Sequence, residues 1–274
     1  MKNCGFMLFL FLLVAGFSCG NEKQTGGDAD AVIKTPYGDI KIKLYEKTGE
    51  HRNNFEKLIK EGFYDDLLFH RVIQNFMIQG GDPDSKNAEQ GQRLGGGSLE
   101  YTLPAEILPE YYHKRGAIAA ARRGGPSNPE KRSSSSQFYI VQGRTFSGGA
   151  LDTLEMAKNQ QLLNDLMREQ ITAAQAEIEQ YRANNDRDGF NRRVAEIREQ
   201  VDSLIDARGL GFKFTNEQRE IYTTIGGYPS LDGDYTVFGE VVEGMDVVDK
   251  IAAMETDSHD RPVQDVKMEI VWLK

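Results

Sequence analysis

The chain has 274 residues and a formal net charge of −9 at pH 7, with 39% hydrophobic and 27% charged residues. Its mean hydropathy of −0.53 predicts a globular protein of one or two domains and disfavours a polytopic membrane protein or a long disordered chain. The acidity argues against nucleic acid as a partner, because phosphate binding requires a basic surface that repays counterion release.

An apolar run marks the N-terminus. Residues 6–17, which follow Lys2, carry no charge and are largely apolar. This run is too short to span a bilayer, but it has the length of a signal-peptide core. We therefore predict a signal peptide over residues 1–18 and an exported protein.

Cys19 follows the apolar run within Gly16-Phe17-Ser18-Cys19-Gly20, a segment that resembles the lipobox of bacterial lipoproteins. The resemblance implies lipidation of Cys19 and a protein of the bacterial cell envelope, at the periplasmic face or the outer membrane. Contact with the membrane would be through the lipid anchor only, and residues 19–31 would comprise the lipidated cysteine and a flexible tether. The alternative is an incidental cysteine beside an ordinary cleavage site.

The pattern becomes rich in strands from residue 32. The alternating apolar residues of 40–44 predict a hairpin with a strand at 32–35. A helix is expected next, with Thr48 as its cap and Gly62 at its end. Further strands are predicted at 67–73, 76–79, 116–121, 137–141, 235–242 and 266–272, and a short helix at 245–252. Many short strands with few helices favour a closed barrel.

A helical segment interrupts this pattern at residues 147–223. Apolar residues at steps of three and four form one stripe within 163–181 and a second within 190–205. They predict two antiparallel helices that pack stripe to stripe. Thr215 and Gln218 have the spacing of a capping box and predict a further short helix.

The residues outside this insertion, 32–146 and 224–274, are numerous enough to form a single domain. All the strands that the barrel needs fall within them. We therefore expect the core of the barrel to be complete without the insertion.

The segment from Phe69 to Asp82, with the sequence FHRVIQNFMIQGGD, closely resembles the signature of the cyclophilins, which are peptidyl-prolyl cis-trans isomerases. Four more segments follow in the family's order: 96–97 (GG), 116–122 (GAIAAAR), 136–140 (SQFYI) and 231–239 (LDGDYTVFG). The resemblance implies a mainly β fold, namely a closed eight-stranded antiparallel barrel capped by two helices. The insertion would add an α-helical hairpin arm.

The chemistry of isomerisation points to Arg71. Rotation about an X-Pro bond breaks amide resonance, at a barrier of roughly 18 to 20 kcal/mol, and needs no covalent step. In the rotated state the proline nitrogen becomes pyramidal and gains a localised lone pair, so a donor aimed at it stabilises the transition state selectively. Arginine, permanently charged with a rigid fork of donors, suits this task. The resemblance assigns the same role to Arg71 and implies that Gln79 orients it.

The resemblance also implies a substrate groove. Phe76, Met77, Tyr139 and Leu231 would seat the proline ring, Tyr235 would border it, and Gln137 with backbone groups near Ala121 and Arg122 would grip the substrate chain. By default such aromatic and methionine residues would belong to the core. No spacing of His, Cys or carboxylate residues indicates a metal, and no cofactor is expected.

Two hypotheses of different class follow. The first is an exported isomerase that assists the folding of proline-containing client proteins in the cell envelope. The second is a non-catalytic binding or holdase module whose helical arm holds clients or partners, or associates with a second copy. The presence of Arg71 favours the first, since a pure binder would not need it. A passive structural role for the arm is the third reading.

Overall fold

The computed structural model describes residues 29–274. The predicted signal peptide, Cys19 and most of the predicted tether lie outside the described residues. Asp30 is already part of the barrel, because its buried carboxylate accepts from the backbone N–H of Leu44 at 2.8 Å and pairs with Lys274 at 2.7 Å. The first strand begins at Ala31, so the prediction that the tether extends to residue 31 is wrong by two residues.

Eight strands close into an antiparallel barrel, as predicted: β1 (Ala31–Thr35), β2 (Gly38–Leu44), β3 (Leu67–Ile73), β4 (Met77–Gly80), β6 (Ala117–Ala120), β8 (Phe138–Val141), β9 (Val237–Glu243) and β10 (Lys267–Trp272). Their order around the barrel is β1-β10-β3-β4-β8-β6-β9-β2. A separate pair consists of β5 (Thr102–Leu103) and β7 (Ser133–Ser134). In β2 the alternation works as expected: Ile40, Ile42 and Leu44 are buried in the barrel.

Two helices cap the barrel, α1 (Gly49–Lys60) and α6 (Met245–Ala252). Each buries one apolar face in the same core as the strands, α1 through Phe55, Leu58 and Ile59 and α6 through its central valines. The bounds of α6 are those predicted from the sequence. The prediction of a closed barrel capped by two helices is thus confirmed.

The cap of α1 differs from the prediction. Thr48 occupies the N-cap position, but its hydroxyl donates to the carbonyl of Tyr45 at 3.1 Å instead of accepting from the helix. The carboxylate of Glu106 takes its place and accepts from the backbone N–H groups of Glu50 and His51 at 3.1 and 3.0 Å. A carboxylate at this end also suits the helix dipole.

The insertion contains four helices, α2 (Gly148–Ala173), α3 (Gln175–Ala183), α4 (Arg187–Arg208) and α5 (Asn216–Thr224). The two predicted stripes meet in one cluster around Leu163, Ile178, Ile197 and Val201. The capping box of Thr215 and Gln218 is present. A single helix through 163–181 was expected, but a break at Ala174 (φ −93°, ψ 12°) separates α2 from α3.

The insertion is not independent of the barrel. Leu151, Phe214 and Tyr222 from the insertion are buried in one cluster with Tyr112 and Phe146, which lie outside it. The clusters inside the barrel contain no residue of 147–223, so the insertion adds a cluster beside the barrel core. That the barrel folds without the insertion stays a prediction. Within residues 29–274, no helix combines the length and the apolar character that a bilayer crossing requires.

Candidate active site

A cleft of about 580 Å³ opens beside β3 and β4. We call it the main cleft. Its lining includes all the catalytic and substrate-binding residues predicted from the sequence except Gln137: Arg71, Phe76, Met77, Gln79, Ala121, Arg122, Tyr139, Leu231 and Tyr235, joined by Arg93, Leu94, Gly95 and Gly96. Residues that are far apart in the chain thus share one surface because the barrel brings β3, β4, β6 and β8 side by side.

Arg71 reaches the main cleft from β3 with a side chain that is 40% exposed. It lies opposite Gln79 in the β3–β4 register, and its Nη1 donates to Oε1 of Gln79 at 3.4 Å. On the other side its Nε is 3.5 Å from Oδ2 of Asp260. Both contacts are long, and Nη2 makes no hydrogen bond within residues 29–274. The guanidinium is held from two sides yet keeps donors for a substrate.

Asp260 was missed by the sequence analysis. It lies in the loop before β10 with φ +62°, and its carbonyl accepts from the backbone N–H of Val72 at 2.8 Å, next to Arg71. This bond places the Asp260 carboxylate beside the guanidinium. No local pattern signals the contact, because the two residues are distant in the chain.

A chain of amides extends from Arg71 to the glycine loop. The side-chain amide of Gln79 donates to Oε1 of Gln137 at 3.0 Å, and the amide of Gln137 donates to the carbonyls of Gly97 and Gly95 at 2.6 and 3.3 Å. Gln137 was expected to grip the substrate. In the structure its side chain orients Gln79 and fixes the loop, and its contact with a substrate stays a prediction.

The glycine loop is held by Asp82. The buried carboxylate of Asp82 accepts from the backbone N–H groups of Gly95 and Gly97. A Cβ added at Gly97 would lie 2.0 Å from Oδ1 of Asp82, so only glycine fits there. This requirement explains Gly97, and a φ of +93° explains Gly95.

The floor of the main cleft is apolar. Met77 and Tyr139 are 1% and 5% exposed, whereas Phe76 and Leu231 are only partly buried and present more surface. Phe76 lies against Tyr228, with ring centroids 4.1 Å apart and planes inclined by 32°. Tyr228 was not predicted, and nothing in the spacing of the sequence points to it.

The backbone groups of Ala121 and Arg122 differ in whether they already form hydrogen bonds within the protein. The N–H of Ala121 donates to Gln137 O at 2.9 Å, and its carbonyl accepts from Ser134 at 2.8 Å, so neither group is left for a substrate. The backbone N–H and C=O of Arg122 make no hydrogen bond within the described chain. Of the two expected gripping positions, Arg122 is the one with free backbone groups.

Comparison with known families decides the class of this site. The family model for cyclophilin-type peptidyl-prolyl cis-trans isomerases matches residues 31–160 and 208–271, which is more than two thirds of the chain. The chain belongs to this family. The cyclophilin signature read from the sequence is the segment that supplies Arg71, Phe76, Met77 and Gln79 to the main cleft.

Individual relatives agree. A protein of Streptococcus pyogenes whose name joins a phosphatase with a peptidyl-prolyl cis-trans isomerase is 31% identical over 253 residues; the match covers 91% of this chain and 39% of that protein. A Staphylococcus aureus protein named as a peptidyl-prolyl cis-trans isomerase is 28% identical over 252 residues, with 92% and 94% covered. A crystal structure of a cyclophilin from Cryptosporidium parvum shares the fold, with 19% identity, a TM-score of 0.50, and 89% and 96% covered.

The family model leaves one internal segment of the chain unmatched. The match continues through residue 160 and resumes at 208, so within residues 31–271 only 161–207 is unmatched, whereas the sequence analysis set the insertion at 147–223. We call residues 161–207 the arm tip, and residues 147–160 with 208–224 the arm base. The arm base includes the start of α2 and all of α5.

A buried polar network connects the arm base to the cleft. The hydroxyl of Tyr139, in the cleft wall, is 3.0 Å from Nε2 of His113, whose Nδ1 donates to Oδ1 of Asp232 at 2.8 Å. The hydroxyl of Tyr222, in α5, donates to Oδ2 of Asp232 at 2.6 Å. Burial, together with the charge of Asp232, raises the pKa of Tyr222 far above its usual value, so this hydroxyl stays a donor.

Lys158 makes a second connection. From α2 its ammonium donates to the carbonyls of Ser230 and Asp232 at 3.1 and 2.7 Å and lies 3.6 Å from Oδ2 of Asp234. These atoms flank Leu231 in the cleft wall. Arg122 contacts the same segment. Its Nε donates to the carbonyl of Asp234 at 2.7 Å, and its guanidinium lies 4.6 Å from the centre of the Tyr235 ring.

His70 lies beside Arg71 in β3 but faces the interior. It is 2% exposed, and neither ring nitrogen has a hydrogen-bond partner within residues 29–274. Burial lowers the pKa of His70 to about 4, against the opposing charge of Asp82. The ring is therefore neutral at pH 7.

A second cleft of about 490 Å³, the side cleft, continues the main one. Gln79, Gly95, Gly96, Ala121 and Arg122 line both clefts. Gln137, Arg123 and Arg132 are among the residues that line the side cleft alone. A polypeptide bound in the main cleft would therefore extend directly into the side cleft.

Proposed function

We propose that Arg71 stabilises the twisted X-Pro amide in this cyclophilin and that its substrates are proline-containing proteins of the bacterial cell envelope. The observation that supports the catalytic part is the position of Arg71. Its guanidinium borders an apolar floor, is held by Gln79 and Asp260, and retains unpaired donors.

The apolar floor gives the proline ring a fixed seat. Phe76, Met77 and Leu231 offer apolar surface to the pyrrolidine, while the peptide on its N-terminal side turns. The free backbone groups of Arg122 are suited to hold the neighbouring substrate residues. Positioning of this kind lowers the entropic part of the activation barrier for isomerisation of the bound substrate, and it needs no covalent chemistry.

The guanidinium favours the rotated state. In the planar amide the nitrogen lone pair is delocalised and accepts poorly, whereas in the twisted amide it is localised and accepts from an N–H donor. The bond from Arg71 is therefore strong only in the transition state. Each 1.36 kcal/mol of such selective stabilisation gives tenfold in rate, so several contributions are needed for a large acceleration.

The envelope location rests on the N-terminal sequence. An apolar run of signal-peptide length ends at Cys19, in a segment that resembles a lipobox. We propose that Cys19 carries the lipid anchor. Labelled fatty acid should enter the wild-type protein in cells but not the Cys19→Ser variant, and equal labelling of both would contradict the anchor.

The holdase alternative has no comparable support. It requires an apolar face of the arm that can hold a client or a second copy, but the two apolar stripes of the arm pack against each other around Leu163, Ile178, Ile197 and Val201. No observation favours this function over catalysis.

A rate assay tests the proposed catalysis. The purified protein should accelerate isomerisation of an Ala-Pro peptide in a protease-coupled assay, and Arg71→Ala should remove at least about 90% of that rate. Arg192→Ala, a change of the same kind on the exposed surface of α4, is the matched control and should retain the wild-type rate. Equal rates in wild type and Arg71→Ala would contradict the role of Arg71.

A further inference from the structure

Arginine side chains line both clefts. Arg71, Arg93 and Arg122 line the main cleft, and Arg122, Arg123 and Arg132 line the side cleft. Among the residues that line the two clefts, Glu100 is the only acidic one. The protein as a whole carries a net charge of −9, so the charge of the substrate face is opposite in sign to that of the molecule.

Most of these arginines are engaged by the protein itself. Arg71 faces Asp260, and Arg122 donates to the backbone of the turn at Asp234. Arg132 donates to Thr102 through Nε and Nη2, at 2.7 and 2.8 Å. These three guanidinium groups shape the walls of the clefts.

Arg93 and Arg123 differ from the others. Both are exposed, and neither side chain forms an ion pair or hydrogen bond within residues 29–274. Arg93 lines the main cleft and Arg123 lines the side cleft. Each cleft thus offers one guanidinium with its full set of donors available.

The two arginines flank the path of a bound polypeptide. The two clefts share Gln79, Gly95, Gly96, Ala121 and Arg122, so a chain with its proline against Phe76 and Met77 would pass these residues to enter the side cleft. An extended chain advances about 3.3 Å per residue. Residues within about three positions of the proline would therefore pass Arg93 or Arg123.

We propose that this site selects substrates with aspartate or glutamate within about three residues of the proline, and that their carboxylates pair with Arg93 and Arg123. The inference rests on the proposed function. Guanidinium and carboxylate groups match in geometry and form charge-assisted, bidentate hydrogen bonds. The acidic surface elsewhere discourages binding of acidic chains outside the clefts, which confines the attraction to the site.

The test uses blocked proline peptides that carry Glu, Gln or Lys two residues before or two residues after the proline. NMR exchange measurements give kcat/KM for each with the full protein. Glu peptides should exceed Gln peptides by about two- to tenfold on at least one side of the proline, as expected for one or two exposed ion pairs, and Lys peptides should be slowest. The preference should shrink at 1 M salt, where the Debye length is about 3 Å.

Arginine variants test whether Arg93 and Arg123 cause the preference for Glu peptides. Arg93→Gln and Arg123→Gln should each reduce the Glu-to-Gln ratio, and the double variant should bring it close to one. Arg192→Gln changes the net charge by the same amount on the arm tip and should keep the wild-type ratio. A ratio of one in the wild type, or an equal fall in Arg192→Gln, would overturn the proposed selectivity. A wild type that isomerises none of the peptides would instead overturn the proposed function on which it rests.

Discussion

The arm base and the arm tip belong to one helical insertion but differ in what they contact. The base buries Leu151, Phe214 and Tyr222 together with residues of the barrel, whereas the tip buries Leu163 and Val201 only against its own helices. The family model matches all of the base and none of the tip. The comparison shows that one part of a helical insertion can pack on the catalytic domain while the other part packs only on itself.

Hydrogen bonding gives the physical reason. Asp232 is 6% exposed, and a buried carboxylate without donors is costly. The base provides one of its donors through Tyr222, and Lys158 fixes the same turn. Tip ion pairs such as Arg198 with Asp202 lie at the surface, where they contribute little.

Removal of residues 147–223 should have the largest effect. The deletion takes away Leu151, Phe214 and Tyr222, which uncovers Tyr112 and Phe146 and leaves the buried carboxylate of Asp232 without one of its donors. Each of these three losses is worth about 1.5 to 3 kcal/mol. We expect a much lower urea midpoint, as followed by circular dichroism. A midpoint near that of the full protein would show that the base does not stabilise the barrel.

Acid should destabilise the barrel, and His70 should account for part of that loss. The folded chain keeps His70 neutral down to its pKa of about 4, whereas the unfolded chain takes up a proton near pH 6.5, so stability falls as the pH falls between these values. The loss amounts to up to about 3 kcal/mol. The insertion contains no histidine, so this sensitivity is confined to the barrel.

Urea unfolding at pH 7 and pH 4.5 measures this loss, with His70→Phe as the comparison. The variant should lose less stability than the wild type over this range. Burial also lowers the pKa of His51, against the effect of Glu106, so a smaller dependence of the same sign should remain. Identical pH profiles for wild type and His70→Phe would contradict the prediction.

Tyr222→Phe should have an intermediate effect. It removes a hydroxyl that donates to the buried carboxylate of Asp232 at 2.6 Å, and such a bond to a charged group contributes about 1.5 to 3 kcal/mol. Tyr181→Phe in the tip removes a hydroxyl that is exposed and 3.4 Å from Glu177, so less than about 0.5 kcal/mol should be lost. Similar losses in the two variants, measured from urea midpoints, would remove the distinction between base and tip.

Deletion of the tip alone should have the smallest effect. Asn159 and Phe212 are joined by two hydrogen bonds, of 3.0 and 2.7 Å, so the ends of the base already lie together and a short linker can replace 161–207. Peptide isomerisation should stay within about twofold of wild type, and the urea midpoint should be nearly unchanged. A severalfold loss of activity would show that the tip acts on the cleft.

Much of the fold could be predicted because its signals are local. Alternation located β2 and β10, the bounds of α6 matched, and the cyclophilin signature indicated the residues of the main cleft. The break at Ala174 had no such signal, since neither glycine nor proline occurs there.

The contacts that were missed join residues far apart in the chain. These contacts depend on where the loops and the insertion pack on the barrel. They are Asp260 with Arg71, Glu106 with the start of α1, and Tyr222 with Asp232. Periodicity reports which face of an element is buried but not which distant side chain meets it. For the same reason the integration of the arm base was not foreseen.

The central claim is that Arg71 acts on the twisted amide more strongly than on the planar one. NMR exchange spectroscopy on an Ala-Pro peptide, with wild type and Arg71→Ala, gives both the Kd and the rate of interconversion on the enzyme. We predict that this rate falls by about 100-fold, equivalent to about 2.7 kcal/mol, while the Kd changes by less than about threefold. A loss confined to the Kd, with the rate on the enzyme unchanged, would contradict the account.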